Sequence, residues 1–330
     1  MMEGSSLSDV AVINEINTNF IPIHANLTEG RFPDELTGLK GFKTAWKVFD
    51  WLKWGFVATP ILSPDGKRVI AYSGSGFAWE WKTAAGYHPD RFLHFLKTCS
   101  ERHQRLRTLA TQVKQRTISF DMQGTTIPVD EYLPATASGK LPAVIILHGE
   151  EEPGSGTSAA IYNYYAKSLA ASGYAVFVPH YFQYTKTTKA SLGNIFANYQ
   201  KWGKVVAATL SHVGAQPEVD TNRVSIFGYS LGGALAMSHD AKHASIRSVI
   251  EMGSPAWAVD SKRTLPPLLI LHGKKDKRVN VADANKIESR LLKRGTPVEK
   301  VIYDSEDHVF AIDAENDALS RMRAFLAKYQ

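Results

Sequence analysis

One cysteine, Cys99, stands in 330 residues, so no internal disulfide can form and a reducing, cytoplasmic compartment is expected. No stretch approaches the roughly 18 uninterrupted apolar residues of a membrane helix, so no integral membrane segment is expected. Met1-Met2-Glu3-Gly4-Ser5-Ser6 has no basic stretch leading into an apolar core and reads as no secretory leader. Without a leader, the Asn26-Leu27-Thr28 sequon carries no meaning as a glycosylation site. Repeats and low-complexity tracts are also missing. The net charge is +6, but the basic residues are dispersed and no nucleic-acid motif accompanies them. The charge is read as solvation, and nucleic acid is not an expected partner. His239 and His243 are four apart with Asp240 between them, yet no third ligand is in sight, so no metal is expected.

What the chain does have is a serine in an unusual setting. Arg223-Val224-Ser225-Ile226-Phe227 has the character of a buried parallel strand, and Leu231-Gly232-Gly233-Ala234-Leu235-Ala236-Met237 reads as a tightly packed helix. Gly228-Tyr229-Ser230-Leu231-Gly232 joins them. A serine on so sharp a turn needs small residues two positions before and after it, because a Cβ there would crowd strand and helix. Gly228 and Gly232 meet that need, and the turn presents the Ser230 hydroxyl at the C-terminal edge of the sheet. This is the nucleophile elbow of an α/β-hydrolase.

Serine hydroxyls are poor nucleophiles near neutrality and need a base, and the base needs a carboxylate at its other nitrogen. Both follow in the expected chain order. The strand Pro267-Leu268-Leu269-Ile270-Leu271 leads into His272-Gly273-Lys274-Lys275-Asp276, and Glu299-Lys300-Val301-Ile302-Tyr303 leads into a loop ending at His308. The intervals of 46 and 32 residues each fit one or two αβ units. Asp276 is the expected acid. Asp304 and Asp307 lie too close in sequence to His308, and Glu251, after the preceding strand, is the alternative.

The remaining part is an oxyanion hole. Ala143-Val144-Ile145-Ile146-Leu147 is a core strand running into His148-Gly149-Glu150-Glu151-Glu152. A turn here supplies one backbone N–H and the residue after the nucleophile supplies the other, which makes Glu150 and Leu231 the expected donors. The three glutamate side chains are expected to face solvent.

Together these residues resemble the dienelactone hydrolase family, from about Thr117 to Gln330. The resemblance includes a hairpin (Thr117–Met122, Thr125–Leu133) around Gln123-Gly124 and the strand Tyr174–Val178 leading to Pro179-His180-Tyr181. It also includes the elbow, the His-Gly-x-x-Asp segment and the Asp-His-x-Phe ending. It implies a mostly parallel sheet flanked by helices, Ser230 as nucleophile, Asp276 as acid and His308 as base, with no cofactor. The namesake enzymes carry cysteine at the elbow, a glutamate where this chain has Gly149, and a carboxylate-gripping arginine where it has Ile312. The resemblance therefore implies an esterase-like member whose substrate is a small neutral ester, thioester or lactone.

Residues 1–115 are expected to form an N-terminal extension to a hydrolase domain over 116–330. Thr44–Phe56 reads as a helix with Trp46, Trp51 and Trp54 beside its apolar face. Ser63–Lys67 signals a turn and Arg68–Ser73 a strand. Arg91 to about Gln115 reads as a long helix striped by Phe92, Leu96, Cys99, His103, Leu106, Ala110 and Val113. So much aromatic surface calls for burial on the same chain, as a lid, or in a homodimer. Two classes of function fit the chain: a hydrolase, with peptidase or acyltransferase chemistry as variants, and a small-molecule receptor on the same fold. A complete Ser, Asp, His set favours the enzyme.

Overall fold

Gln123 and Gly124 both have positive φ, 53° and 81°, the mirror-image turn that matches the twist of two antiparallel strands. They join β3 (Val113–Met122) to β4 (Thr125–Pro134), which pair residue for residue from Met122↔Thr125 to Val113↔Pro134. The computed structural model describes residues 9–20, 59–62, 69–73, 89–153, 158–238, 246–259 and 265–330. The expected Trp-bearing helix, the Ser63–Lys67 turn, Trp79, Trp81 and the His239/His243 pair lie outside these residues.

Contacts divide the chain into two units, Met1–Arg107 and Thr108–Gln330. The first holds α1 (Val10–Asn19), capped by Asp9, and the antiparallel pair β1 (Thr59–Leu62) and β2 (Val69–Ser73). It also holds most of α2 (Pro89–Gln112), inside which the division falls. On α2, Leu96, Cys99, Arg102 and Leu109 are buried, while His103 is half-buried and Ala110 is exposed. The helix stops at Gln112, short of the expected Gln115. Val113 continues the apolar stripe, but pairing with Pro134 takes its backbone into β3.

The second unit is built on an eight-stranded sheet. Its further strands are β5 (Leu141–Leu147), β6 (Ala175–Pro179), β7 (Val219–Tyr229), β8 (Ile246–Met252), β9 (Leu268–Gly273) and β10 (Val298–Tyr303). The order is β10-β9-β8-β7-β5-β6-β4-β3, parallel throughout except for β4 and β3. Helices cover both faces, so β5, β6 and β9 read as nearly unbroken apolar runs, while β8 buries Ser248 and Glu251 among its apolar residues. On one face lie α3 (Ser158–Ala171) and α7 (Ile312–Tyr329), tied by Tyr164 Oη donating to Asn316 Oδ1 at 2.6 Å. On the other lie α4 (Leu192–Gly214), α5 (Leu231–Ser238) and α6 (Ala282–Leu292). No helix among the described residues is long and apolar enough to cross a membrane.

The chain leaves β5 to one side for β6 and returns on its other side for β7. Such a reversal of strand order opens a crevice beyond the carboxyl ends of the strands. Here it opens between the His148–Glu152 loop, which follows β5, and Ser230, which follows β7.

Candidate active site

Ser230 sits between the last residue of β7 and the first of α5, with φ 54°. A side chain in the left-handed region costs on the order of 1–3 kcal/mol and persists only when its surroundings enforce it. The enforcement is visible. A Cβ on Gly228 would strike the backbone of Gly232 and Gly233, and one on Gly232 would strike the carbonyls of Leu147 and His148. The Ser230 N–H donates to the Met252 carbonyl at 2.8 Å, locking the turn to the end of β8. Leu231 opens α5, so its own N–H has no carbonyl a turn earlier in the helix.

Asp276 and His308 come from the loops after β9 and β10. His308 Nδ1 lies 2.7 Å from Asp276 Oδ2, and the Asp276 side chain is fully buried. The other carboxylate oxygen accepts the N–H groups of Arg278 and Val279, each at 2.8 Å. Burial alone would raise the Asp276 pKa. Hydrogen bonding to His272 and His308, with the Val279 N–H, outweighs it and holds the carboxyl well below the usual range. An ionised Asp276 accepts a hydrogen bond from His308 Nδ1–H, which keeps the proton on that nitrogen and leaves the Nε2 lone pair for a base. Tyr229 Oη donates to the His308 carbonyl at 2.9 Å and fixes the loop from below.

Ser230 and His308 flank the same stretch of backbone. Ser230 is bonded to Met252, and a Cβ on the next residue, Gly253, would lie 3.3 Å from the His308 ring. The three expected site residues are thus brought together at the ends of β7, β9 and β10. Glu251, the alternative acid, sits behind them. Its Oε2 accepts the Ser254 N–H at 3.0 Å, and burial pushes its carboxyl up to about 7. Asp304 pairs with Lys274 at the surface, and Asp307 accepts the backbone N–H groups of Lys277 and His308.

The loop after β5 is held by three aromatic groups. Gly149 N–H donates to Tyr162 Oη at 2.6 Å, and Tyr181 Oη donates to the His148 carbonyl at 2.6 Å. The His148 and Tyr181 rings stack with centroids 3.8 Å apart. Burial lowers His148 to about 3, so its ring is neutral. A Cβ on Gly149 would come within 3.4 Å of the Ser230 Cβ, which puts this loop directly against the elbow. Glu150 follows, with its carbonyl accepting the Ala190 N–H at 2.8 Å.

The expectation that Glu150–Glu152 face solvent is corrected for Glu152, whereas Glu150 and Glu151 stay partly exposed in surface ion pairs. Glu150 bridges to Arg278 and Glu151 to Lys189, and Glu152 is buried with His180 Nδ1 3.5 Å from its carboxylate. The partners come from distant parts of the chain, so the run itself gave no sign of them. His272 was also missed. It lies in the quoted His-Gly-x-x-Asp segment, its Nε2 donating to the Val279 carbonyl at 2.9 Å and lying 3.4 Å from Asp276 Oδ2. Among the described residues, no group of three or more His, Cys, Asp or Glu could hold a metal ion.

A curated relative, Hydrolase LUC6 from Fusarium sp, is 27% identical over 64% of this chain. The chain spans about half of that relative's length, 53%. Among solved structures, the dienelactone hydrolase-like promiscuous phosphotriesterase P91 from metagenomic libraries superposes with a TM-score of 0.58 at 16% identity, covering 66% of this chain and 99% of its own. The acylaminoacyl peptidase of Pyrococcus horikoshii gives 0.53 at 14% identity over 69% of this chain and 43% of its own. At such identities the structural likeness shows the fold, an α/β-hydrolase fold. Residues 129–329 match the model of the Dienelactone hydrolase family, and the chain belongs to that family.

Proposed function

We propose that the protein is a serine hydrolase cleaving a carboxylic ester, thioester or lactone through an acyl-serine intermediate. The observation that carries this reading is the 2.7 Å contact between Asp276 and His308 beside a serine held at φ 54°. Ser230 Oγ attacks the carbonyl carbon as His308 Nε2 takes its proton. The tetrahedral oxyanion is received by the N–H groups of Glu150 and Leu231. His308 then gives the proton to the leaving oxygen or sulfur, and the C–O or C–S bond breaks. Water, activated by the same imidazole, releases the acid and restores Ser230.

The neutral character of the substrate follows from the charges around the crevice. Ile312 begins α7 where the namesake enzymes place an arginine, and the nearby Arg278 is already engaged by Glu150. The experiment is turnover of short-chain activated esters by Ser230→Ala against the unchanged chain. A loss of ~10³-fold or more with unchanged fold is expected. Near-native turnover by the alanine variant would overturn the assignment.

A further inference from the structure

His180, the first residue beyond β6, stands between two carboxylates. Its Nε2 is 2.9 Å from Asp130 Oδ2 and its Nδ1 is 3.5 Å from Glu152 Oε2. Asp130 belongs to β4, where Thr117 of β3 donates to its other oxygen at 2.8 Å. Glu152 belongs to the loop that carries the Glu150 N–H, and its side chain is buried. A neutral imidazole has one N–H and can serve one carboxylate; both are served only by the doubly protonated ring. The groups facing His180 are Asp130 from β4, Glu152 from the loop and the neutral His148 at the end of β5.

The loop needs such a tie. Three successive glutamates repel one another. The first two are answered near the surface by Arg278 and Lys189, while the third is taken out of water. A buried carboxylate is tolerated when a cation meets it and is costly when that cation is removed. On its far edge the loop is held by two backbone hydrogen bonds, Glu152 N–H to the Thr188 carbonyl and Ala190 N–H to the Glu150 carbonyl, and by the surface pairing of Lys189 with Glu151. On the sheet side, the link from Thr117 through Asp130 and His180 to Glu152 connects the loop to the hairpin of β3 and β4.

We propose that His180, as an imidazolium, is a positioning residue that fixes the oxyanion loop by bridging Asp130 to Glu152. This rests on the serine-hydrolase reading given above. Burial opposes the charge on His180, but the hydrogen bond from its ring to Asp130 and the attraction of the Asp130 and Glu152 carboxylates prevail and raise it to about 9. The tie is therefore complete below that range and is lost as pH rises through it. An alkaline fall in reactivity then follows from His180, separate from any ionisation of the catalytic base.

The test uses a fluorophosphonate probe, whose attack by a serine also places an oxygen in the oxyanion hole, so no natural substrate is required. Labelling of Ser230 is followed from pH 6 to pH 10 in the unchanged full chain, in His180→Gln and in Glu152→Gln, with melting temperature measured alongside. Either substitution should lower the maximal labelling rate by roughly 10- to 100-fold, as expected for a displaced catalytic group. Apparent probe affinity should change little, and the alkaline fall should vanish in His180→Gln. Labelling of His180→Gln at the unchanged rate overturns the inference, whether or not its melting temperature drops. So does a slower variant that keeps the alkaline fall. Failure of the unchanged chain to label at Ser230 overturns the hydrolase reading itself, and this inference with it.

Discussion

Asp276 and His308 meet at 2.7 Å although they leave different strands and stand 32 residues apart. The contact is buried: the aspartate side chain is fully so and the imidazole nearly so. An amide at position 276 would keep the shape but lose the charge, and could leave His308 in the tautomer that cannot accept the serine proton. Asp276→Asn is expected to reduce ester turnover by on the order of 10³- to 10⁴-fold. Asp304→Asn and Asp307→Asn should cost far less. Steady-state kinetics of the three variants on one activated ester check this, and a fully active Asp276→Asn would remove it from the triad.

Glu251 offers a contrast in the same neighbourhood. Its folded pKa is raised to about 7 by burial, above the ordinary glutamate value. The folded state therefore holds a proton that the unfolded chain has released, and stability falls as pH rises from about 4.5 toward 7. Glu251→Gln should remove that penalty. The variant should melt higher than the unchanged chain at pH 8, melt alike at pH 4.5, and retain most of its turnover. Thermal unfolding across this range checks it; a loss of stability at pH 8 would mean the charged form is favoured by the fold.

The elbow glycines make a prediction about folding. At Gly232 an added methyl group would strike the Leu147 and His148 carbonyls, backbone at the end of a central strand that cannot swing aside. Gly232→Ala should destabilise by about 1–3 kcal/mol or more, as overpacking does. Gly203→Ala, on α4 with nothing near its Cβ position, should be neutral or mildly stabilising. Chemical denaturation separates the two. Equal midpoints would contradict the close approach.

Substrate charge is open to a direct comparison. With Ile312 in place of an arginine and Arg278 held by Glu150, a carboxylate-bearing lactone lacks a prepared cation. Neutral short-chain esters should show the higher kcat/KM. A preference for the anionic lactone would mean that Arg278 exchanges Glu150 for the substrate.

Much of this was legible in the sequence because it is local. β5, β9 and the second half of β7 announce themselves as apolar runs, and Gly228 and Gly232 mark the turn that Ser230 must occupy. The Gln123-Gly124 turn likewise has its chemistry in two adjacent residues. What escaped is non-local. The end of α2 was set by the pairing of Val113 with Pro134, which no helical stripe reveals. The roles of Glu150, Glu151 and Glu152 depend on Arg278, Lys189 and His180, brought in by sheet topology. A run of three acids reads as a solvated surface until the fold supplies its cations.

The central claim is that Ser230 carries the acyl group between two half-reactions. Mass spectrometry of protein quenched in acid during turnover of a slowly hydrolysed p-nitrophenyl ester tests it most directly. The account predicts a mass increase equal to the acyl group, mapped to the peptide containing Ser230 and absent in Ser230→Ala. An acyl adduct on another residue, or full turnover by Ser230→Ala without any adduct, would contradict it.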